Sequence, residues 1–212
     1  MVIAIDGPAG AGKSTVARGL ADALGITYLD SGAMYRCVAL AVSRAEVDPD
    51  DPYEAAGVAS DIEIAFEGER VLLDSQDVSE EIRSPEISAL ASRVSVHPGV
   101  REAMVMRQRE MISRGPYVAE GRDIGTVVSP DSPLKVFLVA DDEERARRRA
   151  AESGQPVDEV LGDIADRDRR DSEREHGALR AADDSVEVDT TGVPADEVVE
   201  RIAGLARERG LL

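Results

Sequence analysis

The chain has 212 residues, 42% of them apolar and 32% charged. That suits one compact domain with a small inserted lobe. Lys plus Arg is 25 against 43 Asp plus Glu, a net charge of −18, which argues against unspecific partnership with nucleic acid or an anionic membrane. The single cysteine, Cys37, cannot form an internal disulfide and fits a reducing, cytoplasmic setting. No basic leader precedes the first apolar run, and no window approaches about 18 uninterrupted apolar residues, so neither a secretory signal nor a membrane span is expected.

Val2-Ile3-Ala4-Ile5 reads as a buried strand ended by Asp6-Gly7-Pro8. A helix is expected from about Lys13, with Val16, Leu20 and Leu24 spaced by four, stopping at Gly25. Ile26 to Leu29 is a second strand, and Asp30-Ser31 starts a helix through Ala45. Glu46 to Pro52 is an acidic loop. Ile62, Ile64 and Phe66 then alternate with Glu63, Ala65 and Glu67, Gly68-Glu69 turns, and Val71-Leu72-Leu73 returns as a hairpin. Residues 58–93 are therefore read as an insert between two parts of a core, 1–57 and 94–212.

A long helix is expected over about 100–113, and strands at Tyr117 to Ala119 and Val136 to Val139. Helices at about 142–152 and 157–174 flank Gly154-Gln155-Pro156, a hinge for a lid at about 146–162. Val186 to Val188 is the last strand, and Pro194 opens an amphipathic closing helix. Strands alternating with helices imply an α/β fold with a five-stranded parallel sheet covered on both faces.

Gly7-Pro8-Ala9-Gly10-Ala11-Gly12-Lys13-Ser14 fits G-x-x-x-x-G-K-[ST] between a strand and a helix. Glycines let backbone N–H groups wrap a phosphate, and the helix start favours an anion. Lys13 would neutralise the β- and γ-phosphates of a nucleoside triphosphate, and Ser14 would ligand Mg²⁺. An N/T-K-x-D guanine reader is missing: the chain has no Asn, and Lys135 precedes Val136-Phe137. Asp141-Asp142 reads as a helix start rather than a pair activating water. A small-molecule kinase remains as the leading class.

A hydroxyl acceptor needs a positioned base, whereas a phosphate acceptor needs arginines that offset repulsion between two polyanions. Arg36 follows the second strand, and Arg122-Asp123 follow Tyr117 to Ala119, both where ligands bind in open α/β sheets. Arg167, Arg170, Asp171 and Arg174 share a helical face by their spacing. That face is either an anion clamp or a solvated, salt-bridged surface. Arg145, Arg147, Arg148 and Arg149 invite the same two readings. His97 and His176 carry no catalytic expectation, and Cys37 reads as a small core residue.

Four segments together resemble the bacterial cytidylate kinase family: Ile5 to Ser14, Leu29-Asp30-Ser31-Gly32-Ala33-Met34-Tyr35-Arg36, Asp77-Val78-Ser79-Glu80-Glu81-Ile82-Arg83, and Glu120-Gly121-Arg122-Asp123-Ile124-Gly125-Thr126-Val127-Val128. The resemblance implies a three-layer P-loop NTPase fold with a small β-containing insert and a short lid. It also implies transfer from Mg²⁺-ATP to CMP or dCMP by a monomer. It places ATP on Gly7, Pro8, Ala9, Gly10, Ala11, Gly12, Lys13, Ser14 and Thr15. Ser31, Tyr35 and Arg36 stand near the acceptor phosphate and base, and Ser92, Arg101 and Asp123 read cytosine. Arg122 and Arg174 hold phosphate, and Arg167 with Asp171 holds the sugar hydroxyl. Lys13, Arg122 and Arg174 are then the catalytic set. The alternatives are a kinase for another small acceptor and a non-catalytic ATP sensor.

Overall fold

The structure, a computed structural model, describes residues 1–211. Its elements in chain order are β1 (Val2–Asp6), α1 (Lys13–Leu24), β2 (Thr27–Asp30), α2 (Ser31–Arg44), α3 (Pro52–Asp61), β3 (Ile64–Glu67), β4 (Arg70–Leu73), β5 (Gln76–Asp77), α4 (Pro85–Val94), α5 (Pro98–Ile112), β6 (Tyr117–Gly121), β7 (Leu134–Val139), α6 (Asp142–Ser153), α7 (Val157–Ser172), β8 (Val186–Asp189) and α8 (Ala195–Glu208). No helix among the described residues is long and apolar enough to cross a membrane.

Two compact units result. The first comprises residues 1–30 and the chain from Arg109 on. Its five-stranded sheet has the order β2-β6-β1-β7-β8, and every neighbouring pair is parallel. β1 is central, which explains why all its residues are buried. Ile3, Ile5, Val118, Val136 and Leu138 from the sheet meet Val16 and Leu20 of α1 and Val198 and Ile202 of α8 in one core. The register sets Asp6 beside Gly121 and Asp30 beside Glu120. The loop leaving β1 and the segment leaving β6 therefore start side by side, at the carboxyl ends of the strands.

The second unit is Ser31–Gln108. It holds α2, α3, α4, most of α5 and the antiparallel sheet β3-β4-β5. Gly68, at φ +62°, makes the β3–β4 turn. The hairpin is thus where its alternation placed it, but the boundaries at 57 and 93 fall inside a larger unit. The reason is packing: α2 lies against both α3 and α4, with Met34, Cys37, Val38 and Val42 buried along its length. α3 went unread because its apolar residues are mostly alanines. It is started instead by its cap, where Asp51 accepts from the N–H groups of Tyr53 and Glu54, and Pro52 sits at the first helical position.

Candidate active site

In the first unit the phosphate loop joins β1 to α1. At Gly7 a side chain is impossible, since a Cβ there would lie 2.3 Å from the Leu138 carbonyl oxygen. Gly12, left-handed at φ +83°, opens α1 without a side-chain cap over its first N–H groups. The Lys13 ammonium is buried and donates to the Pro8 carbonyl at 2.7 Å. Burial, then the Arg122 guanidinium, lowers its pKa to about 7. Lys13 therefore waits in an environment that disfavours its charge, which an incoming phosphate would favour.

Asp6, at the end of β1, turns back to the segment after β6. Its carboxylate accepts from the N–H of Ile124 at 2.8 Å and of Gly125 at 2.7 Å. Burial raises its pKa to about 6 against these two bonds. Asp123 and Ile124 to Val128 form a π-helical turn, so Asp6 anchors the backbone that presents Arg122 and Asp123. Glu120, the last residue but one of β6, is buried. It accepts from the Tyr28 hydroxyl at 2.7 Å and from the Ser14 hydroxyl. Burial and neighbouring Asp30 raise the Glu120 pKa.

Arginines just beyond the ends of β6 and α7 converge on one carboxylate of α7. Asp171 accepts from Arg122 Nε at 2.9 Å and from Arg174 Nη2. Only 2% of its side chain is exposed. Burial pushes its pKa up, but Arg122, Arg174 and Arg167 outweigh burial and hold it below the usual carboxylate range. The fork of Arg122 is thereby aimed. Only 17% of the Arg122 side chain is exposed. Arg170 does not join the group. It is exposed and donates to the Asp166 carbonyl of its own helix, because its position lies about 60° around the helix from Arg167.

Arginines of α6 are bonded within the protein, Arg147 to the Glu143 carbonyl among them. Arg148 donates to Glu144, to the Thr190 hydroxyl and to the Thr190 carbonyl. Buried Arg145 donates to Asp142, to Asp168 and to the Ala9 carbonyl. Asp142 accordingly serves the start of α6. The 146–162 segment spans most of α6, the left-handed Gly154 corner and the first turn of α7.

In the second unit Ser31, Tyr35 and Arg36 lie on the first two turns of α2, Ser92 on α4 and Arg101 on α5. The Arg101 guanidinium sits 5.7 Å from the centre of the Tyr35 ring, a cation–π contact. Arg101 is buried, and the buried Ser92 hydroxyl has no hydrogen-bond partner. A buried donor left unsatisfied costs about 1–3 kcal/mol, and the Gln108 Nε2 of this unit is buried without a partner as well. His97 is structural: its Nε2 donates to the Pro49 carbonyl at 2.8 Å.

Sequence reasoning gave no role to Asp6, Tyr28, Glu120, Asp168 or Thr190. Glu120 lies inside a quoted motif, and its place beside Asp30 in the sheet was the missing signal. Asp168 was hidden among the acidic residues of α7.

A family model for cytidylate kinase matches residues 3–208. The chain belongs to the cytidylate kinase family. It is 49% identical over 218 residues to the cytidylate kinase of Geobacter sulfurreducens, covering 99% of this chain and 94% of that protein. It is 49% identical to the cytidylate kinase of Mycolicibacterium paratuberculosis, over 99% and 96% of the two chains. Among solved structures, an uncharacterised protein from Eubacterium ventriosum aligns with a TM-score of 0.58 at 14% identity, over 98% of each chain. The shikimate kinase of Acinetobacter baumannii in complex with shikimate aligns with a TM-score of 0.50 at 19% identity, over 100% of this chain and 95% of that one. These two likenesses concern the fold alone.

Proposed function

We propose that this cytidylate kinase family member transfers the γ-phosphoryl group of Mg²⁺-ATP to CMP or dCMP. An acceptor phosphate oxygen attacks the γ-phosphorus, the bond to the β-phosphate oxygen breaks, and ADP leaves. An ionised phosphate has no proton to surrender, so no general base is needed.

One observation carries the reading. In a chain of net charge −18, buried Lys13 feels both Arg122 and Arg167, and those arginines act on the same Asp171 that holds Arg174. Cations gathered against their own repulsion are compensated by a polyanionic ligand. Lys13 and the phosphate loop, residues Gly7 through Thr15, take the donor phosphates, the loop through backbone N–H groups other than that of Ala9, which Asp168 holds, and other than Pro8, which has none. Arg122 and Arg174 take the acceptor phosphate and the charge that spreads in the transition state. Arg167 and Asp171 serve the sugar hydroxyl, and Asp123 the cytosine amino group, where uracil offers an acceptor and is repelled. Within the second unit, the candidates implied by the family resemblance are Ser31, Tyr35 and Arg36 for acceptor contacts and Ser92 and Arg101 for the base.

The donor set fits Mg²⁺. Ser14 and Glu120 are bonded to each other and offer hard oxygens, and no group of three His, Cys, Asp or Glu residues suited to a dedicated metal cage occurs among the described residues. An ion held by a hydroxyl, one carboxylate and the substrate phosphates matches Mg²⁺ habits. Ser14 would ligand it directly, and it would neutralise charge between the β- and γ-phosphates.

The test is ADP production with Mg²⁺-ATP against CMP, dCMP, UMP, AMP, GMP, dTMP and no acceptor. Strong turnover with CMP and dCMP alone is expected. Turnover confined to another acceptor would discard the base readers, and ATP loss independent of any acceptor would favour a sensor.

A further inference from the structure

One ion pair grips the phosphate loop from outside. Asp168 Oδ1 accepts from the Ala9 N–H at 3.1 Å. Arg145 Nη1 donates to the Ala9 carbonyl at 2.8 Å and also to Asp168 Oδ2. Both polar groups of Ala9 are thus held by a single Arg–Asp unit. The Ala9 side chain packs with Ala146, Ala150, Val160 and Ile164 of α6 and α7. Gly10 completes the seat: at φ +74°, a Cβ there would stand 2.7 Å from the Arg145 carbonyl oxygen and 2.9 Å from its Cβ.

Asp168 stands one turn before Asp171 on α7, and Arg167 is its neighbour. The same turn of helix therefore holds the donor loop through Asp168 and the acceptor arginines through Asp171. Asp168 also acts on the Lys13 charge. Phosphate at Lys13 and phosphate at Arg122 and Arg174 would both load this turn.

We propose that Asp168 and Arg145 are positioning residues that seat the phosphate loop on α7 and thereby make donor and acceptor binding mutually favourable. The proposal rests on the kinase reading above, which the acceptor panel tests separately on the unaltered chain. By linkage, whatever enhancement a bound ATP analogue gives to CMP binding must equal the enhancement CMP gives to the analogue.

The experiment measures binding of a non-hydrolysable ATP analogue and of CMP, each alone and with the other present, by calorimetry. It uses the full chain and its Asp168→Asn and Asp168→Ala forms, with thermal unfolding alongside. The unaltered chain is expected to bind each ligand more tightly in the presence of the other. Asp168→Ala should bind the analogue about tenfold more weakly, the loss of a hydrogen bond to a charged group. Its affinity for CMP alone should hold within about threefold, and the mutual enhancement should fall to about one. Asp168→Asn keeps an acceptor for the Ala9 N–H and should restore most of both. Should Asp168→Ala not fold, Arg145→Lys must show the same loss, selective for the analogue, because an ammonium cannot span Asp168, Asp142 and the Ala9 carbonyl together. Three results would each overturn the proposal: no mutual enhancement in the unaltered chain, unchanged enhancement in folded Asp168→Ala, or equal weakening of both ligands with no rescue by Asn.

Discussion

The phosphate loop and the Asp171 cluster solve the same problem, holding phosphate, by opposite means. The loop uses backbone: glycines without room for a side chain, open N–H groups at a helix start, and one buried lysine. The cluster uses side chains from the segment after β6 and from α7 and the residues just beyond it, 49 residues apart in the case of Arg122 and Asp171, fixed by a carboxylate buried among them. A backbone cradle must be contiguous, so it is written as a motif. A side-chain clamp is assembled by the fold, so its members are scattered and resemble ordinary charged helix residues. The two should also fail differently. The loop loses chemistry without losing the fold, whereas the clamp loses both, because its arginines neutralise a buried charge.

The largest effect is expected at Lys13. Lys13→Met should lower kcat by about 10³, the scale of removing a charge-stabilising donor. It should leave the unfolding temperature unchanged or raised, since burying that cation is unfavourable. A folded variant with near-normal kcat would remove Lys13 from the chemistry. Next is Arg122. Arg122→Ala should cost about 2 kcal/mol of stability as well as turnover, less than the loss of a sole partner because Arg174 still faces Asp171. Arg122→Lys keeps the charge but not the fork, so stability should hold within about 1 kcal/mol while kcat falls about tenfold or more. If thermal unfolding moves as much for Lys as for Ala, the clamp is structural.

Asp123→Ala should reduce the preference for CMP over UMP by about tenfold, the worth of one good contact to a base edge. An unchanged ratio of kcat/KM values would take Asp123 out of base reading. The smallest effect concerns protons. With the Lys13 pKa near 7, the side chain is mostly neutral at pH 8, and bound triphosphate would restore its charge. Binding an ATP analogue at pH 8 should therefore take up as much as about one proton, and at pH 6 almost none. Calorimetry in buffers of different ionisation heat reads this directly, and equal uptake at both pH values would contradict it. The same lowered value has a stability consequence. Between about pH 7 and the ordinary lysine range the unfolded chain binds more protons, so Lys13 makes folding more favourable as pH rises through that window.

Much of the parallel sheet was legible because buried strands are short apolar runs closed by glycine, as in Val2 to Gly7. The phosphate loop was legible for the reason given above. What escaped had no local signature. α3 is carried by its Asp51 cap rather than by an apolar stripe. Asp6 and Glu120 look like strand-end carboxylates until the register sets them beside Gly121 and Asp30. Arg145 read as either an anion clamp or a salt-bridged surface residue, because its partners Ala9 and Asp168 lie 136 and 23 residues away. Spacing alone also left Arg170 on the same face as Arg167, Asp171 and Arg174, but Arg170 is exposed and donates to the Asp166 carbonyl of its own helix.

The most direct test of this division of labour is a crossed binding measurement. An ATP analogue and CMP are titrated separately into folded Lys13→Met and Arg122→Lys. The prediction is a crossing: Lys13→Met loses the analogue and keeps CMP, while Arg122→Lys keeps the analogue and loses CMP. If each variant weakens both ligands equally, the loop and the Asp171 cluster are not separate donor and acceptor holds, and the account is wrong at its centre.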